Sequence, residues 1–208
     1  VMFFCPAVVF LGLFAASKLG LTTSRVQVPL SHVAIDGEEI PIPLQGKVTE
    51  GKGWVLRNSK GQYTLTLDGL KAGSLERKTP ALEIQGDLTL VLKKGTESEL
   101  LSADAALKKG AGTLTIRGEG SLRLQGETAL EGEWKEETLN QDEPSALRIE
   151  GGKLVFTGEE TALYEDTVEL AGGEIQIQCL NGKGTGIRAH TLDDRHFSGS
   201  LEMEESEE

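Results

Sequence analysis

Short runs in which apolar residues recur at every second position dominate the chain from Tyr63 onward. Leu65 and Leu67, then Leu88, Leu90 and Leu92, then Leu114 and Ile116 each place their apolar side chains on one face. A period of two is the mark of a half-buried strand. The pattern predicts strands over Tyr63 to Leu67, Leu82 to Gln85, Leu88 to Leu92, Thr113 to Arg117 and Ser121 to Gln125. It continues over Leu147 to Glu150, Lys153 to Thr157, Thr167 to Leu170, Glu174 to Cys179 and Gly186 to Ala189. Glycine separates almost all of these runs.

A small residue followed by an aliphatic one recurs along the same stretch: Ala81-Leu82, Ala106-Leu107, Ala129-Leu130, Ala146-Leu147, Ala162-Leu163 and Gly186-Ile187. Such self-similarity predicts a solenoid, in which one coil cannot bury its own apolar face and stacked neighbours build a continuous core. The fold expected is all-β, a single-stranded parallel β-helix of about six coils over residues 61–200, one per recurring step. An antiparallel sandwich offers similar strand lengths and turn signals, and predicts hairpins instead at places such as Gly118-Glu119-Gly120 and Gly172-Gly173.

The two ends differ from this body. Residues 1–20 are apolar apart from Lys18, which predicts an N-terminal apolar helix acting as a membrane anchor or as an export signal. Either route puts the body outside the cytoplasm, in the extracellular space or the cell envelope, with the membrane as a partner through this segment. Residues 21–60, with Pro29, Pro41 and Pro43, are expected to form a linker and a cap for the solenoid. Residues 201–208 form an acidic tail whose like charges predict a frayed, solvated segment.

Composition narrows the chemistry. Aromatic residues make up only 5% of the 208, which suits ladders of small aliphatic side chains rather than a ring-filled core. The net charge of −12 and the lack of a basic stripe exclude the electrostatics of a nucleic-acid partner. Cys5 and Cys179, one in the apolar head and one in the body, do not make a disulfide scaffold.

The stretches Gly61-Gln62-Tyr63-Thr64-Leu65-Thr66-Leu67-Asp68-Gly69, Ala81-Leu82-Glu83-Ile84-Gln85-Gly86-Asp87-Leu88-Thr89-Leu90 and Gly112-Thr113-Leu114-Thr115-Ile116-Arg117-Gly118 follow one another in order. They resemble the bacterial carbohydrate-binding β-helix domain family, over roughly Tyr63 to Ala189. The resemblance implies a pectate-lyase-like fold, a polysaccharide partner of cellulose-like or acidic type, and calcium held in the β-helix. Only Gly186-Ile187-Arg188-Ala189 keeps the step typical of that family, and Glu, Lys and Gly mostly stand where its Asp-rich turns would be. No calcium site, and no cofactor, is carried over.

No catalytic motif is present: Gly-x-Ser-x-Gly, His-Glu-x-x-His and the phosphate-cradling loop are all missing. A non-catalytic module is therefore expected. A structural stalk or adhesin with a protein partner is the alternative, and a lyase-like enzyme, which needs a basic residue such as Arg188 beside bound calcium, a more distant one. His190, Asp193, Asp194 and His196 have metal-ligand chemistry but read equally as a solvated turn, and no metal ligand is assigned. Sugar rings are held by aromatic faces with polar neighbours, so Trp54, Tyr63, Trp134 and Tyr164 are the residues to consider. Trp134 is the ligand-binding candidate, because it lies in the irregular stretch Glu131 to Glu143 between coil steps. Trp54 and Tyr63 are expected to cap the apolar stack.

Overall fold

The computed structural model describes residues 27–133, 145–181 and 184–205. Its elements are all strands: β1 (His32–Ile35), β2 (Glu38–Glu39), β3 (Val48–Gly51), β4 (Trp54–Ser59), β5 (Gln62–Leu67), β6 (Lys71–Ser74), β7 (Leu82–Gln85), β8 (Leu88–Leu92), β9 (Glu97–Ser102), β10 (Ala105–Lys109), β11 (Gly112–Gly118), β12 (Ser121–Glu131), β13 (Ser145–Ile149), β14 (Lys153–Leu170), β15 (Gly172–Cys179), β16 (Thr185–Asp193) and β17 (Ser198–Glu205). Among the described residues no helix is long and apolar enough to cross a membrane. The N-terminal apolar helix expected over residues 1–20 lies outside the described residues.

From β5 onward consecutive coils pair in parallel, as in β5 with β8, β8 with β11, and β11 with β13. The sandwich alternative is excluded, because it requires neighbouring strands to pair antiparallel. Three faces result. The first stacks β5, β8, β11, β13 and the end of β14; the second stacks β6, β9, the first half of β12, the start of β14, β15 and β17. The third stacks β7, β10, the second half of β12, the middle of β14 and the first half of β16. The long strands β12 and β14 therefore turn corners, and β12 does so at a register shift between Gly126 and Thr128.

Register explains the alternating pattern. Leu65, Leu90, Ile116 and Ile149 stand in one inward column, and Leu88, Leu114, Leu147 and Val168 in another. On the second face Ala72, Leu100, Leu124, Phe156 and Ile177 form a third column. All of these side chains are buried. Each fully buried Leu or Ile contributes about 2 kcal/mol of hydrophobic stabilisation, and only the neighbouring coils make that burial possible. Coil corners bring backbones close together. Gly118 has a φ of 117°, and a Cβ there would collide with the Leu92 carbonyl oxygen.

The coil count needs correction. Leu82, Leu107, Leu130, Leu163 and Ile187 align on the third face, but Ala146-Leu147 does not join them; Leu147 stands on the first face between Leu114 and Val168. The solenoid accordingly has about five turns, with the start of another, rather than six. The insertion after Glu131 lengthens one coil, so Ala146-Leu147, the first-face counterpart of Thr113-Leu114, falls at a spacing that mimics a coil repeat.

The N-terminal part is antiparallel. β4 pairs with β5, β3 with β4, and β1 with both β2 and β7. Leu30, Val33, Ile40 and Leu56 from this part are buried against the first coil, so the region is a cap built of hairpins. At the other end β17 carries the chain through Glu205, into the stretch read as a frayed acidic tail. The alternation of Leu201, Glu202, Met203 and Glu204 explains this. Leu201 and Met203 pair with Ile175 and Ile177, while Gln176 and Gln178 both donate hydrogen bonds to the Glu204 carboxylate.

Candidate functional site

The residue after each of the small-aliphatic steps that align on the third face points outward. Register puts Glu83, Lys108, Glu131, Tyr164 and Arg188 in one column, each beside the next. At a strand spacing of about 4.8 Å the column runs about 19 Å along the solenoid axis. Its charges alternate in sign around one aromatic ring. Lys108 Nζ lies 3.5 Å from Glu131 Oε1, and the Arg188 guanidinium sits 5.5 Å from the centre of the Tyr164 ring. Gln85, Lys108, Glu131, Glu133 and Tyr164 line a hollow of about 420 Å³ on this face. An aromatic face among amide, ammonium and carboxylate groups can stack against a sugar ring and bond its hydroxyls.

A buried polar cluster supports the hollow from below. Lys109 and Glu165 are ion-paired, Nζ to Oε2, at 2.8 Å, with their side chains almost wholly removed from water. Lys109 also donates to Ser145 Oγ at 2.8 Å and to the Gly110 carbonyl at 3.1 Å, while Ser145 donates to Glu165 Oε1 at 2.7 Å. The Asp166 amide donates to that same oxygen. Burial pushes the Lys109 ammonium below the ordinary lysine range, and the facing Glu165 carboxylate opposes the shift. Gly132 leaves room for the arrangement, because a Cβ there would run into Glu165 Oε2. Its amide donates to the Tyr164 carbonyl at 2.6 Å. Gly132 and Ser145 flank the insertion; the cluster holds Ser145, and the Tyr164 carbonyl holds Gly132.

The residues named from sequence are distributed differently. Trp134, the ligand-binding candidate, lies outside the described residues; Glu133, next to it in the chain, lines the hollow. Tyr164 is in the outward column. Trp54 and Tyr63 are half-buried and pack against the end of the core, as capping residues do. Arg188 faces the Tyr164 ring. His190 hydrogen-bonds through Nδ1 to Asp166 at 2.7 Å. Asp193 turns to Arg195, whose guanidinium holds its carboxyl well below the usual carboxylate range. Among the described residues no three His, Cys, Asp or Glu side chains gather as a metal site. Calcium needs six to eight oxygen ligands, and the described residues gather no such set.

Lys108, Glu131, Lys109, Ser145 and Glu165 were not recognised from sequence. The first two had a signal, since each directly follows a recurring step. The buried three did not: Lys109 and Ser145 are 36 residues apart, and Ser145 and Glu165 are 20 apart.

No curated protein and no solved structure matches the chain. A family described as carbohydrate-binding domain-containing protein matches residues 31–206, which takes in the cap, every described coil and the outward column. The chain belongs to this carbohydrate-binding domain-containing family.

Proposed function

We propose that this protein is a non-catalytic module that binds an extended polysaccharide along the third face of its solenoid. The observation that carries the reading is the outward column of Glu83, Lys108, Glu131, Tyr164 and Arg188 beside its hollow. A repeating ligand meets repeating coils there, and about 19 Å of column gives room for about four sugar units at close to the strand spacing. The contacts are shallow, so each sugar buries little surface and affinity comes from several weak contacts acting together. Two carboxylates and two cations balance the column, which favours neutral glucans over polyuronates. The overall charge of −12 adds repulsion against an anionic polymer unless added calcium screens or bridges it.

The apolar run over residues 1–20 supports export and a place on the cell envelope, by anchor or by cleaved signal. Carbonate-resistant membrane association of the full-length chain distinguishes the anchor from the signal, and exclusively cytosolic full-length protein would refute both.

Retention of the purified protein on insoluble cellulose and on pectin, with chelator and with calcium, tests the binding. Cellulose is expected to retain it in chelator, and pectin only once calcium is added. Tyr164→Ala is expected to weaken retention on cellulose about tenfold, or about 1.4 kcal/mol. No retention on either polymer under both conditions would replace this reading with that of a structural stalk.

A further inference from the structure

An amine, a hydroxyl and a carboxyl meet at one buried point of the wall: Lys109, Ser145 and Glu165 are 3%, 1% and 0% exposed. Register brings two of them there. Lys108, Glu131 and Tyr164 are neighbours in one column, so the residues that follow them, Lys109, Gly132 and Glu165, take equivalent places on three successive coils. The middle place is a glycine, and a Cβ there would lie 2.2 Å from Glu165 Oε2. Lys109 and Glu165 therefore reach each other across the coil between them, with Nζ 2.8 Å from Oε2. The two oxygens of Glu165 differ in their partners. Oε1 accepts hydrogen bonds from Ser145 Oγ at 2.7 Å and from the Asp166 amide at 2.9 Å, whereas Oε2 accepts no aligned hydrogen bond among the described residues. Two donors on one carboxyl oxygen, with an amine beside the other, form the arrangement that stabilises a tetrahedral oxyanion when the amine attacks the carbon between them.

We propose that Lys109 and Glu165 condense into an intramolecular isopeptide bond, a covalent staple between coils two apart. The ion pair described above is the reactant, and a chain that has not reacted keeps it. A proton first passes from Nζ to Oε2, leaving a neutral amine against a neutral carboxyl group. Burial, which lowers the proton affinity of Lys109, favours that form. The Nζ lone pair then attacks Cδ and forms the new N–C bond, and the negative charge gathers on Oε1 between the Ser145 hydroxyl and the Asp166 amide. Nζ gives a second proton to Oε2, the Cδ–Oε2 bond breaks, and the oxygen leaves as water while the carbonyl at Oε1 reforms. No further reactant is needed, because the fold already holds both groups: Nζ is anchored by Ser145 Oγ at 2.8 Å and the Gly110 carbonyl at 3.1 Å. Exclusion of water then protects the amide from hydrolysis. The staple constrains the coils between its ends as a disulfide constrains a loop, and Cys179, the cysteine among the described residues, is free.

Mass spectrometry of the full chain, sampled over a week of incubation at neutral pH and then digested with trypsin, tests this. The intact mass is expected to fall by one water, about 18 Da, in a growing fraction of the molecules. Digestion should yield a branched peptide joining residues 109–117 to 154–183, and fragmentation should place the link at Glu165. Lys109→Arg keeps a cation but has no Nζ to react, and should give no branched peptide. The double variant Lys109→Met with Glu165→Leu, which leaves no buried charge, should give none either. Ser145→Ala retains both reacting groups and removes one donor from Oε1, so the link is expected to form at least tenfold more slowly, or about 1.4 kcal/mol higher in barrier. Unchanged hydrogen exchange in β11 and β14 verifies that this variant remains folded. Absence of the branched peptide from the native chain after the full incubation, a link to a carboxyl group other than that of Glu165, or a rate unaltered by Ser145→Ala would overturn the inference.

Discussion

Lys109 and Glu165 leave water together, and each is tolerated only because the other is present. Taking one away strands an ion in a dry corner, a loss of about 3 to 5 kcal/mol in systems of this kind. Lys109→Met is expected to lower stability to urea by that amount. Lys109→Met combined with Glu165→Leu should recover most of it, since two apolar side chains leave no buried charge. Failure of the double variant to recover would show that Ser145 and the Asp166 amide, which also bond Glu165, suffer more from its loss than the ion pair accounts for. Gly132→Ala tests the same corner by volume. The added methyl meets Glu165 Oε2, so destabilisation of about 1 to 3 kcal/mol is expected in the same assay. None of this was legible in the sequence, where Lys109 and Glu165 look like ordinary surface charges. Tyr164 was legible as a ring of interest, but its pairing with Arg188 was not, because the two meet only across a coil.

The unit that matters at the next scale is the column rather than the strand. Leu114 is fully buried between Leu88 and Leu147 on neighbouring coils, so Leu114→Asp places a charge where both coils must release it. A cost of several kcal/mol is expected, with β8, β11 and β13 losing hydrogen-exchange protection together. Thermal unfolding indistinguishable from the parent would contradict the packing described. Strand positions with strict alternation were predicted well: the expected ranges Leu82 to Gln85 and Leu88 to Leu92 coincide with β7 and β8. Others were passed over for physical reasons. β6, with Lys71, Ala72, Gly73 and Ser74, has too little apolar contrast to show a period, and β10 begins with two adjacent alanines that blur it. The corner-turning lengths of β12 and β14 follow from pairing to two different earlier strands, which no local pattern encodes.

For the molecule as a whole, stability is the sum of coils and their contacts, closed by hairpins at the N-terminal end. Alternation and recurring small-aliphatic steps were enough to determine an all-β parallel solenoid with an aliphatic core, because those properties depend only on which face a side chain takes and on stacking of like coils. The resemblance to a carbohydrate-binding β-helix family rested on the same steps and agrees with the family match over residues 31–206. What the tertiary structure alone decided was the placement of each step around the coil. Residues 21–60 appeared as a proline-marked linker and cap, yet hairpins such as β4 on β5 need partners that only the first coil provides. Ala146-Leu147 looks like every other step but sits on another face, because the coil holding the insertion runs from Leu130 to its neighbour Leu163 and contains that pair along the way. The outward column and the buried ion pair beneath it are likewise relations between residues one coil or more apart. They depend on coil length and register, and a one-dimensional pattern carries the period of a strand but not the angle at which the next coil returns.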